Sequence, residues 1–127
     1  MRYVVDASAW VEYFKGSVKG DKVKAVVENA SNEIVVSAIT FAELSSFYCK
    51  NSLPFAQFRE IILSVCNPVN LDPATAEKAG ELYVELRAKK PKISTADSIV
   101  ATVARQLSAR ILTADKDFAN LRNAVII

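Results

Sequence analysis

The sequence predicts an α/β protein of three layers, α/β/α, with a central parallel sheet and an acidic site at the carboxyl ends of its strands. Three observations carry this. Short β-branched runs alternate with stretches of 3.6-residue apolar spacing, the pattern of strand–helix–strand units. The runs Tyr3-Val-Val, Ile34-Val-Val and Ile111-Leu-Thr are apolar without strict alternation, as strands covered on both faces are. Two of them deliver a carboxylate directly or within one residue of their end, at Asp6 and Asp115. Open α/β sheets build their sites at such strand tips.

Taken in order, Tyr3-Val-Val is a buried strand, and Ala7 to about Lys15 is a helix with Ala7, Trp10, Val11 and Phe14 on one face. Gly16 and Gly20 bracket a turn containing Ser17, and Asp21 is the expected cap of a second helix reaching about Ala30. Ile34-Val-Val is a strand, after which Thr40 opens a helix carrying Phe41, Leu44, Phe47 and Tyr48. Asn51-Ser-Leu-Pro54 breaks the chain, and Pro54 suits the first turn of a helix to about Cys66. Val69-Asn-Leu71 reads as an edge strand. Asp72-Pro73 is a cap with proline at the first helical position, and the helix it starts shows Ala76, Ala79, Tyr83 and Leu86 on one side. A basic loop, Lys89-Lys-Pro-Lys92, leads to a helix capped by Ser94 or Thr95 and running to about Ser108. Arg110 to Thr113 is a strand, Asp115 to about Leu121 a short helix, and Ala124 to Ile127 a last strand.

The chain's 127 residues fit one domain, residues 1–127, and 51% hydrophobic with 24% charged residues describes a globular core. A net charge of +2 excludes a generally basic nucleic-acid sponge, so polyanion binding has to come from local patches. No apolar run approaches membrane-spanning length and no signal-peptide pattern opens the chain, so no membrane association is expected and the expected compartment is cytoplasmic. Cys49 and Cys66 lack metal-ligand spacing and read as buried free thiols. With no histidine in the chain, carboxylates carry any catalysis.

Four acids at expected helix starts define the candidate site: Asp6, Glu43, Asp97 and Asp115. Singly, each has an ordinary structural reading. Asp6 and Asp115 are in position to cap helices. Thr40-x-x-Glu43 has the spacing of a capping box. Asp97 in a first turn complements the helix dipole. Two features shift the balance. Asp97 falls with Ile93, Val100 and Ala104 along the apolar stripe, where an acid serving only the dipole would be better left in water. Right-handed crossovers would set the Asp6 and Asp115 strand tips at the same sheet edge. Two carboxylates about 4 Å apart repel by about 4 kcal/mol at an effective dielectric of 20, so a cluster needs protons, helix dipoles or a cation. An all-oxygen set suits Mg²⁺ or Mn²⁺, and a metal-activated water attacking a phosphodiester is the chemistry that follows.

Four segments in order carry a resemblance across essentially the whole chain: Val4-Val-Asp6-Ala-Ser8, Ser37-Ala-Ile-Thr-Phe-Ala-Glu43-Leu, Ser94-Thr-Ala-Asp97-Ser-Ile-Val-Ala and Leu112-Thr-Ala-Asp115-Lys-Asp117-Phe. Together the chain resembles PIN-domain ribonucleases, specifically the VapC-like toxins of type II toxin–antitoxin pairs. The resemblance implies a PIN fold and a metal-dependent endoribonuclease with Asp6, Glu43, Asp97 and Asp115 binding Mg²⁺ or Mn²⁺. It implies Ser8 and Thr113 as supporting hydroxyls, with Asp117 reaching the metal through water or merely capping. It implies as partners an RNA substrate, a cognate antitoxin held in an apolar groove near the early helices, and a second copy in a homodimer. Asp6 and Asp97 would be principal ligands, with Glu43 and Asp115 orienting water.

Arg87, Lys89, Lys90 and Lys92 either solvate a helix end or form an RNA-phosphate rim; Lys15, Lys19 and Lys22 are a weaker set of the same kind. Trp10, Phe14, Phe41, Phe47 and Tyr48 are core by default, with some of them expected at a protein interface. Three other readings compete: a housekeeping PIN nuclease in RNA maturation, a non-catalytic PIN module binding RNA or protein, and a phosphoryl-accepting domain using Asp6. The intact acid set speaks against the second, and the missing Asp-x-Asp pair after the first strand against the third.

Overall fold

The computed structural model describes residues 1–127. Its elements are β1 (Arg2–Val5), α1 (Ala7–Lys15), α2 (Val18–Val27), β2 (Glu33–Ser37), α3 (Ala38–Lys50), α4 (Ala56–Val65), β3 (Asn67–Val69), α5 (Pro73–Arg87), α6 (Thr95–Gln106), β4 (Arg110–Thr113) and β5 (Ala124–Ile126). A 3₁₀ turn, Lys116–Phe118, joins the last two strands. All strand pairs are parallel, in the order β3-β2-β1-β4-β5. The chain builds outward from β1 to β3, then crosses to β4 on the other side. The strand order therefore reverses between β1 and β4, where open α/β sheets hold their sites.

The strand alternation sorts the core into two halves. Val4, Val35 and Ile111 face α5 and α6, packing with Leu82, Val100, Ala104 and Phe118. Val5, Val36 and Leu112 face the other way, onto Trp10, Val23, Leu44, Tyr48 and Ile62 of the first four helices. Each face is covered, which is why these strands read as unbroken apolar runs. The predicted three-layer architecture is the observed one.

Several local expectations are corrected. Helix α2 begins at Val18, not at Asp21, because Ser17 caps it by accepting the Gly20 N–H at 2.9 Å. Gly20 therefore lies inside a helix, where α1 and α2 touch: a Cβ there would stand 2.1 Å from the Glu12 carbonyl oxygen. Gly16 keeps its expected role, closing α1 in the left-handed region at φ 68°. Helix α3 begins at Ala38, so Thr40 sits inside it and caps nothing. Pro54 precedes α4 rather than opening it. The third strand is Asn67–Val69, an edge strand that tolerates Pro68. Helix α5 turns Thr75, Ala79 and Leu82 inward while Ala76 is exposed. Cys49 is exposed, whereas Cys66 is partly buried and its thiol is pushed up to about 12 by burial.

Candidate functional site

Asp6 is the centre. It follows β1 directly, and its backbone N–H donates to Leu112 O at 2.9 Å, tying the tip of β1 to β4. The carboxyl is 4% exposed. Its Oδ2 accepts from Ser8 Oγ at 2.8 Å and from Thr113 Oγ1 at 2.9 Å. Ser8 Oγ in turn accepts the Ala114 N–H at 3.0 Å, and Thr113 Oγ1 the Asp115 N–H at 2.9 Å. Each hydroxyl has one proton, and both give it to Asp6. The two hydroxyl oxygens, 3.0 Å apart, therefore face each other without a proton between them. This arrangement fixes Oδ2. Burial pushes the Asp6 carboxyl up; the two hydroxyls and the Ala7 amide oppose it, and the charge of Asp115 adds to the rise.

Asp97 begins α6 on the apolar stripe, as its spacing with Ile93 and Val100 predicts, and is 8% exposed. It also takes part in a capping box. Its Oδ2 accepts the Ser94 N–H at 3.0 Å while Ser94 Oγ accepts the Asp97 N–H at 3.1 Å. The cap uses Oδ2 alone, so it does not by itself commit the second oxygen. Burial raises the Asp97 carboxyl, the Ser94 bonds oppose this, and the charges of Asp6 and Asp115 add to the rise.

Glu43 departs most from its ordinary reading. With α3 starting at Ala38, the Thr40–Glu43 capping box does not form, and Glu43 Oε1 is buried with no hydrogen-bond partner. Burial and then the charges of Asp6, Asp97 and Asp115 push the carboxyl up to about 7. Asp115 accepts the Asp117 N–H on Oδ1 at 2.8 Å and so opens the 3₁₀ turn. What Asp117 gives this cap is its backbone amide, and its side chain lines a separate cleft beside α6.

The charges of Asp6, Asp97 and Asp115 reach Glu43, and those of Asp6 and Asp115 reach Asp97, so the four core acids are neighbours, and no Lys or Arg pairs with any of them. They do not form a ready cage: no three acidic side chains are gathered at metal-ligating proximity. Like charges repel, and Oδ2 of both Asp6 and Asp97 is committed to hydroxyl and amide donors. The donor set nevertheless fits a hard cation in kind: every group is an oxygen, and one of them, Glu43 Oε1, is buried without a partner.

Sequence reasoning missed Ser37 as a site neighbour and read Thr40 as a cap. Both hydroxyls are buried without partners, Ser37 at the end of β2 and Thr40 inside α3 one turn before Glu43. Of the basic run, Arg87 is occupied, donating to Tyr83 Oη and to Ile93 O and lying over the Tyr83 ring. Lys89 and Lys90 line the cleft beside α6, and Lys92 is exposed outside it.

A parallel α/β domain with acids at the strand tips where the strand order reverses belongs to the open-sheet class that binds its ligands at that crevice. The family is narrower than that. The PIN domain model matches residues 3–124, and the chain belongs to the PIN domain family, a family of nucleases. Solved structures share the fold. A Mycobacterium tuberculosis structure described as VapC20, a sarcin–ricin loop cleaving toxin, superimposes with a TM-score of 0.78 at 19% identity, over 98% of each chain. VapBC2 from Rickettsia felis, bound to a DNA fragment from its promoter, gives 0.74 at 22% identity over 100% of this chain and 98% of that one. A toxin–antitoxin complex from Klebsiella pneumoniae gives 0.73 at 23% identity, over 97% and 95%. At these identities the likeness is one of fold. No curated protein sequence matches the chain at a significant level, and no helix is long and apolar enough to cross a membrane.

Proposed function

We propose that this protein is a divalent-metal-dependent endoribonuclease acting as the toxin of a toxin–antitoxin pair. One observation carries the reading: the partnerless, buried Glu43 oxygen among three further carboxylates, with no protein cation to neutralise them. Such a cluster favours a bound cation. Asp6, Glu43, Asp97 and Asp115 would hold Mg²⁺ or Mn²⁺. The ion would lower the pKa of a water and neutralise charge on a phosphodiester.

The chain's own contribution is positioning. Ser8 and Thr113 hold one Asp6 oxygen and the Ser94 amide holds one of Asp97, which would leave the second oxygen of each for the ion. Glu43 is the carboxyl most in need of a cation, since burial and its three acidic neighbours push it up to about 7 while no metal is bound. Asp117 is assigned a capping role.

A groove of about 460 Å³ leads from Ser8, Glu43 and Ala114 to the apolar wall of Val11, Leu44 and Phe47. Phe47 is 40% exposed there. We assign this groove to an antitoxin segment, an amphipathic helix being its natural occupant. The exposed Leu53, Ile61 and Leu63 offer further apolar surface for a homodimer. Trp10 and Tyr48 belong to the core instead.

The test is cleavage of a structured RNA pool with Mg²⁺, with Mn²⁺ and with EDTA, beside Asp6→Asn and Asp97→Asn. Metal-dependent cutting that both variants lose supports the reading. Cutting that persists in EDTA, or in Asp6→Asn, overturns the metal assignment. A housekeeping nuclease would cleave equally well but lack a partner that silences it.

A further inference from the structure

We propose that the cleft beside α6 is a phosphate-tracking channel that holds the backbone of single-stranded RNA without reading its sequence. The inference rests on the nuclease reading above and adds how substrate reaches the site. The cleft, about 1010 Å³, lies between the end of α5, the last turn of α6 with the start of β4, and the chain that follows the 3₁₀ turn. Lys89, Lys90, Arg105, Arg110 and Arg122 line it, and none of them is in a salt bridge. Arg2 also lines it but is occupied by Glu33 and the Leu107 carbonyl. The only acids on its walls are Glu85 and Asp117. In a chain with a net charge of only +2, this is a local concentration of free cations.

Continuity with the site favours a substrate strand. Asp117, on the cleft wall, is two residues from Asp115 and gives it the capping amide. Arg110, at the amino end of β4, lies about 10 Å along the strand from Thr113, which holds Asp6, so the cleft reaches from the amino ends of the strands toward the turn that follows Asp115. One feature excludes base stacking: no aromatic side chain lines the cleft, so it has no platform on which bases stack. What remains is a row of cations for phosphates, which position but do not specify. Target choice is left to the site and to the opposite, apolar groove.

The experiment uses Asp6→Asn protein in EDTA, which removes cleavage from the measurement, and a 5′-labelled single-stranded RNA followed by fluorescence anisotropy from 50 to 200 mM salt. Each phosphate contact contributes about 0.7 to the slope of log K against log salt on a single strand. Adding Arg105→Gln and Arg110→Gln should lower that slope by about 1.4, so the parent loses about sevenfold more affinity over this salt range than the cleft variant. Lys22→Gln with Lys24→Gln on α2 removes the same charge elsewhere and should leave the slope unchanged. Equal effects from both pairs, no effect from the cleft pair, or displacement of RNA by polyglutamate at lower concentration than by a second RNA would each overturn the proposal. Binding through the cleft by a protein that cleaves no RNA with metal would sink the nuclease reading and leave the channel standing. Cleavage with an unchanged KM in the cleft variant of the otherwise native chain would do the reverse.

Discussion

Replacing Glu43 by Gln should stabilise the metal-free protein at neutral pH, and the size of the effect follows from the site. The carboxyl titrates at about 7 in the fold, against 4.5 ordinarily, because it is buried beside three other acids. Between these values the folded protein holds a proton that the unfolded chain has released, so stability falls as pH rises through the window. The full rise corresponds to about 3 kcal/mol. Glu43 is only half-buried, and solvent screening reduces the usable part to about 1–2 kcal/mol. Asp6 and Asp97, also raised, act in the same direction, so the variant should show a shallower slope rather than a flat one. The assay is urea unfolding in EDTA at half-unit steps from pH 5 to 8. Parent protein should lose stability towards pH 8, with Glu43→Gln ahead by about 1–2 kcal/mol above pH 7 and level with it near pH 5. Adding Mg²⁺ at pH 7.5 should then raise the parent more than the variant. Identical pH slopes in the two proteins, or a variant that is less stable at pH 7.5, would refute the picture of Glu43 as an uncompensated charge.

Two further expectations test the framework around the site. Gly20→Ala should cost about 1–3 kcal/mol in denaturant unfolding, because the new methyl group meets the Glu12 carbonyl of a neighbouring helix backbone; a neutral result would mean that α1 and α2 separate freely. Ser8→Ala removes a donor to Asp6 and an acceptor for the Ala114 amide together, and should cost about 1–3 kcal/mol. Its cleavage rate should fall more than its RNA affinity, whereas an equal fall in both would assign Ser8 to substrate binding.

Much of this site was legible because its residues obey strong local rules. The β-branched runs before Asp6 and Asp115 can hardly be anything but strands, and their tips had to meet once β1 and β4 paired. Asp97 betrayed itself by occupying an apolar stripe. The errors have tertiary causes. Gly20 is a poor helix former, so a turn was the sound local reading, and only the contact with Glu12 explains a glycine inside a helix. The start of α3 was misplaced because Thr-x-x-Glu imitates a capping box, and nothing in the spacing reveals that Ser37 already ends the strand. The inward face of α5 was misread because apolar and inward are different properties on a helix rich in alanine. The cleft beside α6 was beyond reach, since Arg105, Arg110 and Arg122 become neighbours of Lys89 only through the fold.

The pairing of β1 with β4 also sets when the site can exist. Asp6 is among the first residues made, but the hydroxyl that holds it belongs to Thr113, and Asp115 follows two residues later. During synthesis the growing chain carries only part of the acid set, and such non-local pairing forms late and slowly. On the proposed nuclease reading, the chain can cut nothing until its last third has docked, and β4 closes the site as it pairs with β1.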